Sequence, residues 1–261
     1  MRLVKGLLDR CVDVTELLSG ASGPLRLSDI AQQLDLPKSA AHRLLRELCD
    51  RGWMEQVGID GPYRLTLRFG LLGGRVLRAS GLLENTQPLL DQLAVRTREL
   101  ARLTVVTGHA LSWLSSAQGA PPGLMYQPTM DGAPVLHATA NGKAFLATFD
   151  DATALRIARS VGLGVCQPTP RTVADETALA RELTAVRQRG YGLADQEAEM
   201  GVTAVAVAIR GRSGIVRGTV SVAGPSLRFP PARIPELAKQ LNDTAAALGE
   251  IWPEATGTEP S

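Results

Sequence analysis

Residues 27–48 read LSDIAQQLDLPKSAAHRLLREL, and this stretch decides the fold of the N-terminal part of the chain. Its first half predicts a short helix with Ser28 as the N-cap. The inward face of that helix carries Ile30, Ala31 and Leu34. Asp35-Leu36 then predicts a tight turn, and Pro37 opens a longer helix at a position where its missing N–H does no harm. Two helices joined by so short a turn indicate a helix-turn-helix.

The longer helix has one apolar and one polar face. The apolar side chains are Ala41, Leu44, Leu45 and Leu48. The opposite face carries Ser39, His42, Arg43 and Arg46. Arginine can donate two hydrogen bonds to guanine, while serine, lysine and backbone N–H groups near the helix start can hold phosphates. A polar helix face is often merely solvated, so the surrounding elements decide between these interpretations.

Those elements favour DNA binding. A first helix is predicted from Leu7 to Leu18, and two short strands at 53–57 and 62–67 form a hairpin. Three helices followed by a hairpin are the pattern of a winged helix-turn-helix. The predicted DNA-binding residues are Ser28, Lys38, Ser39, Ala40, His42, Arg43, Arg46 and Arg64. His42 fits a surface histidine equally well, and Arg64 fits an ordinary outward strand residue.

The rest of the chain alternates helices and strands, which predicts an α+β protein of two domains. We expect a DNA-binding domain at 1–68, a linker helix at 69–84, an effector-binding domain at 85–252 and a flexible tail at 253–261. In the second domain, 101–107, 110–116, 202–209 and 215–222 are strand-like. Helices are expected from Thr139 and from Asp175, which we assign as an N-cap.

Composition narrows the function classes. Hydrophobic residues make up 44% and charged residues 21% of the 261 residues, as in an ordinary globular protein. The chain has no apolar run long enough for a membrane span and no signal-peptide pattern at Met1. Three cysteines in no paired spacing fit reduced thiols, so a cytoplasmic location is expected. Residues 1–80 hold 12 basic and 9 acidic side chains, a mild excess compatible with nucleic-acid binding.

Several motifs in sequence order resemble the IclR family of bacterial regulators. In the first domain they are Leu27-Ser28-Asp29-Ile30-Ala31, Leu36-Pro37-Lys38-Ser39-Ala40-Ala41-His42-Arg43-Leu44-Leu45 and Tyr63-Arg64-Leu65. In the second they are Leu136-His137-Ala138-Thr139-Ala140-Asn141-Gly142-Lys143-Ala144, Thr169-Pro170-Arg171-Thr172, Arg189-Gly190-Tyr191, Gly201-Val202-Thr203-Ala204-Val205-Ala206 and Ser221-Val222-Ala223-Gly224-Pro225. The resemblance covers nearly the whole chain.

This resemblance implies a GAF-like mixed α/β effector domain, binding of a small organic acid, and dimers or tetramers on palindromic promoter DNA. It places the effector-binding residues at Thr139, Ala140, Asn141, Asp195, Ala204 and Ser221. Ala194 and Ala204 depart from the residues common in the family. The segment Asp195-Gln196-Glu197 resembles a subgroup that senses hydroxylated aromatic acids. No cofactor or metal is implied.

Physical arguments add three expectations about this pocket. The helix after His137 should present free backbone N–H groups near 139–141, which would hold a carboxylate. Ala204 is smaller than the usual cysteine, so the cavity should accept a ligand bulkier than glyoxylate. Ser221 shares a strand face with Thr219 and either donates to the ligand or faces solvent or another subunit.

Two other classes of protein are alternatives to a ligand-responsive regulator. An enzyme is disfavoured because Asn141-Gly142-Lys143-Ala144 fails as a phosphate loop, and no nucleophile elbow or zinc motif occurs. A convergent carboxylate site would have to use Asp195 and Glu197. The remaining alternative is a non-sensing dimeric DNA-binding protein whose second domain serves only assembly, although that domain is larger than dimerisation needs.

Overall fold

The computed structural model describes residues 6–130 and 132–253, and the chain divides into two compact units after Ser80. Apart from Pro253, the predicted tail at 253–261 lies outside the described residues. Among the helices of the described residues, none is both long and apolar enough to cross a bilayer.

The first unit is a helix-turn-helix followed by a hairpin and a further helix. Its elements are α1 (Leu7–Ser19), α2 (Leu27–Gln33), α3 (Lys38–Asp50), β1 (Met54–Gln56), β2 (Tyr63–Leu65) and α4 (Leu67–Ser80). The antiparallel hairpin strands are shorter than predicted. Buried side chains from α1, α2, α3 and the hairpin form one core: Val14, Leu18, Ile30, Leu44, Leu45, Met54 and Tyr63. The predicted winged helix-turn-helix is confirmed, and with it the α+β class.

Two local predictions in this part of the chain were wrong. Ser28 is not an N-cap, because α2 begins one residue earlier, where the N–H groups of Asp29 and Ile30 both donate to the carbonyl oxygen of Arg26. The Ser28 hydroxyl instead donates to the Asp29 carboxylate at 3.1 Å. The helix predicted to link the domains also ends earlier, since Gly81 adopts a left-handed conformation (φ 61°) and a new helix starts after it.

The second unit is built on one antiparallel sheet. Its helices are α5 (Leu82–Thr97), α6 (Ala140–Leu146), α7 (Asp151–Ser160), α8 (Glu176–Arg189) and α9 (Ile234–Ile251). Its strands are β3 (Leu100–Thr107), β4 (Ala110–Gln118), β5 (Gly192–Asp195), β6 (Val202–Arg210) and β7 (Val216–Pro225). The strand order is β4-β3-β7-β6-β5. The predicted helix start near Thr139 and the predicted cap Asp175 are confirmed, and both side chains accept a backbone N–H of their helix.

The two faces of this sheet serve different purposes because side chains alternate along each strand. One face packs against α5 and α9 and forms the main core. That core includes Leu103, Val205, Val207, Val220, Val222, Leu237 and Leu241. The other face carries α6, and here the sheet presents small or polar side chains such as Ala194, Ala206 and Thr219.

Helix α6 lies very close to the sheet because the contact residues are alanine and glycine. Ala140 and Ala144 pack against Ala194 and Ala206. A Cβ atom added to Gly192 would collide with the backbone of Ala140 and Ala144. The first residues of α6 are thereby fixed against β5, β6 and β7.

We predict that Gly192→Ala lowers the free energy of unfolding by about 1–3 kcal/mol, the usual cost of forcing an extra methyl into a packed contact. The matched control is Gly70→Ala in α4, where a Cβ meets open space and the change should stabilise by about 0.5–1 kcal/mol. Urea unfolding of both variants measures this difference. Equal stability of the two variants would contradict the close packing of α6.

Candidate DNA-reading helix and effector cavity

Helix α3 presents cations that are free to meet DNA. Ala41, Leu44 and Leu45 are buried, so the opposite face is turned away from the core. Exposed side chains on that side include Lys38, Ser39, His42, Arg43 and Arg46, whereas Ala40 is half-buried. Within residues 6–130 and 132–253, neither Arg43 nor Arg46 takes part in an ion pair. These two guanidinium groups are therefore the strongest candidates for direct contact with DNA.

The other predicted DNA-binding residues have mixed surroundings. Ser28 and His42 line a groove between α3 and the tip of the hairpin. Arg64 is exposed but pairs with Glu55 across the hairpin, with Nε 2.6 Å from Oε1. It is thus less available to a phosphate than the arginines of α3.

A small cavity lies between the start of α6 and the sheet. Five of the six predicted effector-binding residues line it: Thr139, Ala140, Asn141, Ala204 and Ser221. Ser221, which the sequence left between two orientations, is 1% exposed and faces this cavity. Below it, Asn141 Nδ2 donates to Thr219 Oγ1 at 2.8 Å, and the Thr219 and Thr104 hydroxyls share a 2.6 Å hydrogen bond.

Asp195 is the exception, because the structure places it on the opposite face of the sheet. Ala194 lines the cavity, and the strand alternation turns the next residue away. The Asp195 carboxylate is half-exposed, pairs with Arg171 at 2.8 Å and accepts a hydrogen bond from Thr203 at 3.0 Å. The assignment of Asp195 to the effector pocket is corrected accordingly.

The expected row of free N–H groups is also shorter than predicted. The Thr139 N–H donates to the Val135 carbonyl at 3.0 Å, and the Gly142 N–H donates to the Thr139 hydroxyl at 3.1 Å. His137 does not line the cavity, since its buried ring bonds to the Cys166 carbonyl through Nε2 at 2.8 Å.

Sequence analysis missed three large side chains in the cavity wall: Arg102, Trp113 and Tyr126. Arg102 is only 7% exposed, and burial lowers the pKa of its guanidinium to about 10, so the group is charged at neutral pH. Its Cζ lies 3.3 Å from the centroid of the Trp113 ring. An arginine at an inward position of a predicted strand was the signal that could have found it.

Tyr126 closes another side of the cavity. Burial and the nearby Glu199 carboxylate, which accepts its hydrogen bond, together raise the pKa of its phenol to about 12. The phenol therefore stays protonated and acts as a donor.

The cavity is smaller than the sequence suggested. Its volume is about 50 Å³, whereas a cavity of about 150 Å³ is needed for benzene. Arg102, Trp113 and Tyr126 line the same cavity as Ala204. These walls as they stand do not hold an aromatic ring, and the expectation of a ligand bulkier than glyoxylate stays a prediction.

Comparison with known proteins gives a consistent result for both units. Residues 7–58 match the IclR helix-turn-helix domain, and residues 74–250 match the bacterial transcriptional regulator IclR C-terminal family. The HTH-type transcriptional regulator BhcR of Paracoccus denitrificans is 33% identical over 241 residues, which cover 92% of this chain and 85% of that protein. The similar proteins are transcriptional regulators rather than enzymes.

Solved structures agree with this comparison. An IclR transcriptional regulator from Silicibacter superposes with a TM-score of 0.85 at 24% identity, covering 96% of this chain and 97% of that one. An IclR homologue from Microbacterium hydrocarbonoxydans, complexed with 4-hydroxybenzoate, gives a TM-score of 0.71 at 28% identity and covers 94% and 98% of the two chains.

We predict that Arg43→Ala and Arg46→Ala each weaken binding to the cognate operator while leaving the fold intact. Loss of a base contact costs about 1–3 kcal/mol of discrimination, whereas loss of a phosphate contact weakens all sequences alike and flattens the salt dependence. Fluorescence anisotropy with operator and scrambled duplexes over a range of salt concentrations separates the two cases.

The control variant is Arg51→Ala, which removes the same charge from the far end of α3, where Arg51 pairs with Glu47. If both α3 variants bind operator as tightly as the parent protein at every salt concentration, this helix does not read DNA.

Proposed function

This chain belongs to the IclR family of bacterial transcriptional regulators, and from that premise we propose that it is a ligand-responsive regulator. It binds a palindromic promoter site as an oligomer through α3, and a small organic acid in the α6 cavity changes its affinity for DNA. The alternative of a purely assembling second domain is disfavoured because such a domain has no use for a polar cavity.

The observation that carries this proposal is the cavity itself. Polar groups of Thr139, Asn141 and Ser221 converge there with the charged side chain of Arg102, and the rest of the wall consists of two aromatic rings, several alanines and a valine. A concave, largely apolar site with a few convergent polar groups is the usual form of a small-molecule site. The positive charge favours an anion, and the acid bound by the Microbacterium homologue belongs to the same chemical class.

Oligomerisation follows from the first unit. A single helix-turn-helix contacts few base pairs, so specific binding needs paired half-sites spaced by about one helical turn or a multiple of it. Helix α4 buries none of its side chains, and Leu71, Leu72 and Val76 are exposed along it. Phe69, on the same helix, is partly covered by Trp53, with ring centroids 4.8 Å apart. The exposed apolar residues of α4, with those of α1, form the proposed subunit contact.

The ligand acts on DNA binding by favouring one arrangement of the paired DNA-binding units. Such coupling between two sites is typically worth about 1–3 kcal/mol, which corresponds to a 5- to 150-fold change in affinity. Binding of the acid and binding of the operator must then affect each other by the same factor.

We predict that Ala204→Leu abolishes the response to the effector and leaves ligand-free DNA binding unchanged, because the larger side chain fills the cavity. The matched control is Ala208→Leu, on the same strand and face but outside the cavity. Operator binding with and without small carboxylic acids measures the response. If an acid that changes operator binding by the parent protein also changes operator binding by Ala204→Leu, the pocket lies elsewhere.

We also predict that the double variant Leu72→Glu and Val76→Glu shifts the protein toward monomer, since charges on the proposed contact oppose association. Sedimentation velocity at micromolar concentration tests this. Val165→Glu, an equivalent change at an exposed position of the other unit, serves as the control. A parent protein that sediments as a monomer would rule out the proposed contact.

A further inference from the structure

In residues 6–130 and 132–253, every buried charge but one is balanced by an ion pair. Among the described residues, Glu99 is 0% exposed and bonds to Arg228 and Arg233 at 2.6 and 2.8 Å. Lys143 is 1% exposed and bonds to Glu197 at 2.6 Å and Glu182 at 3.4 Å. Arg102, the third buried charge, forms no ion pair with any residue in 6–130 or 132–253.

The contacts that Arg102 does make are neutral. Its Nη2 donates to the Thr129 carbonyl at 3.3 Å and approaches the Met130 sulfur at 3.5 Å. Its Cζ lies against the face of Trp113, which attracts a cation without balancing its charge. Its Nε is buried and has no hydrogen-bond partner among the described residues.

A buried cation without an ion pair, and with a donor that has no acceptor, lowers the free energy of unfolding. Such an arrangement does not stabilise the fold by itself. A planar guanidinium matches a carboxylate through two parallel hydrogen bonds, and this match is strongest where water is excluded. A carboxylate in the cavity, which Arg102 lines, would balance the charge of its guanidinium.

We propose that Arg102 is the counter-ion for the effector's carboxylate and that the effector is a compact monocarboxylate with one hydrogen-bonding group next to the acid. This inference rests on the proposed function, because it assumes that the cavity is the effector site. Nothing in the family resemblance assigned a role to this residue.

The walls of the cavity limit the ligand to one carboxylate and a short body. The next buried cation, Lys143, is already committed to two glutamates and does not line the cavity, so a second carboxylate would have no partner. Asn141 directs its Nδ2 to Thr219, whereas the hydroxyl of Ser221 has no hydrogen-bond partner in the described residues. Ser221 is therefore the group that meets the ligand's hydroxyl or carbonyl. The volume of about 50 Å³ excludes an aromatic ring unless the walls move.

The test compares the parent protein with Arg102→Gln and Arg102→Met, using full-length chain and defined probes. The probes are acetate, glycolate and butyrate, the neutral match glycolamide, and the bulkier benzoate. Calorimetry and Trp113 fluorescence report binding, and Arg217→Gln, an arginine of β7 outside the cavity, is the control.

We expect glycolate to bind the parent protein more tightly than butyrate or benzoate, and glycolamide not to bind. Arg102→Gln should lose at least about 30-fold in affinity for glycolate, as expected when one partner of a buried charge pair is removed. Without any acid, Arg102→Met should have a melting temperature equal to or above that of the parent, because an unpaired buried charge has been removed. A residue with a merely structural role would lower it.

The outcomes separate this inference from the proposed function. If Arg102→Gln binds glycolate like the parent while Ala204→Leu does not, the cavity is the effector site but Arg102 is not the counter-ion. If both variants bind like the parent, the cavity is not the site and both proposals fail. Preference for benzoate, failure of every acid at millimolar concentration, or a lower melting temperature of ligand-free Arg102→Met would each overturn the inference.

Discussion

The close approach of α6 to the central sheet is the contact on which the rest of the second unit depends. Alanine and glycine line both sides of it, so backbone meets backbone with almost no side chain between. This packing leaves no room for a large apolar layer, and the space at the start of the helix is closed by polar side chains instead. Asn141, Thr219 and Thr104 form a buried chain of hydrogen bonds there, which holds the helix start in register with two strands.

The same contact explains why a charged residue can stand in the cavity wall. Arg102 lies on β3, beside β7, on the face that α6 covers only in part. Its neighbours across the strands are the polar side chains of this face rather than the leucines and valines of the other. Trp113 supplies the flat surface that keeps the guanidinium in place without neutralising it. The cavity wall is thus polar where α6 no longer covers the sheet, and it is apolar where alanine side chains line it.

The sequence predicted the parts of this arrangement that follow from periodicity and capping. The 3.6-residue period of α3 separated its buried leucines from Arg43 and Arg46, and the alternation of β7 put Ser221 on the face of Thr219.

Sequence analysis failed where a shift of one residue reverses the direction of a side chain. Asp195 follows a cavity residue in a strand and so points the other way, which a motif comparison does not register. Arg102 was passed over because an arginine in a strand is normally solvated, and only the fold shows that α6 and Tyr126 enclose it. Serine is a residue type common at N-caps, but α2 begins at Leu27, one residue before Ser28.

The division of the sheet into a core face and a cavity face has an evolutionary consequence. Large aliphatic side chains pack together on the side of α5 and α9. Substitutions in the cavity wall, such as those at 102, 113, 126 or 204, alter volume and charge on the other side and leave that core untouched. A few changes at these positions can therefore reshape the cavity without any change in that core. The DNA-binding unit, with a core of its own, need not change along with them.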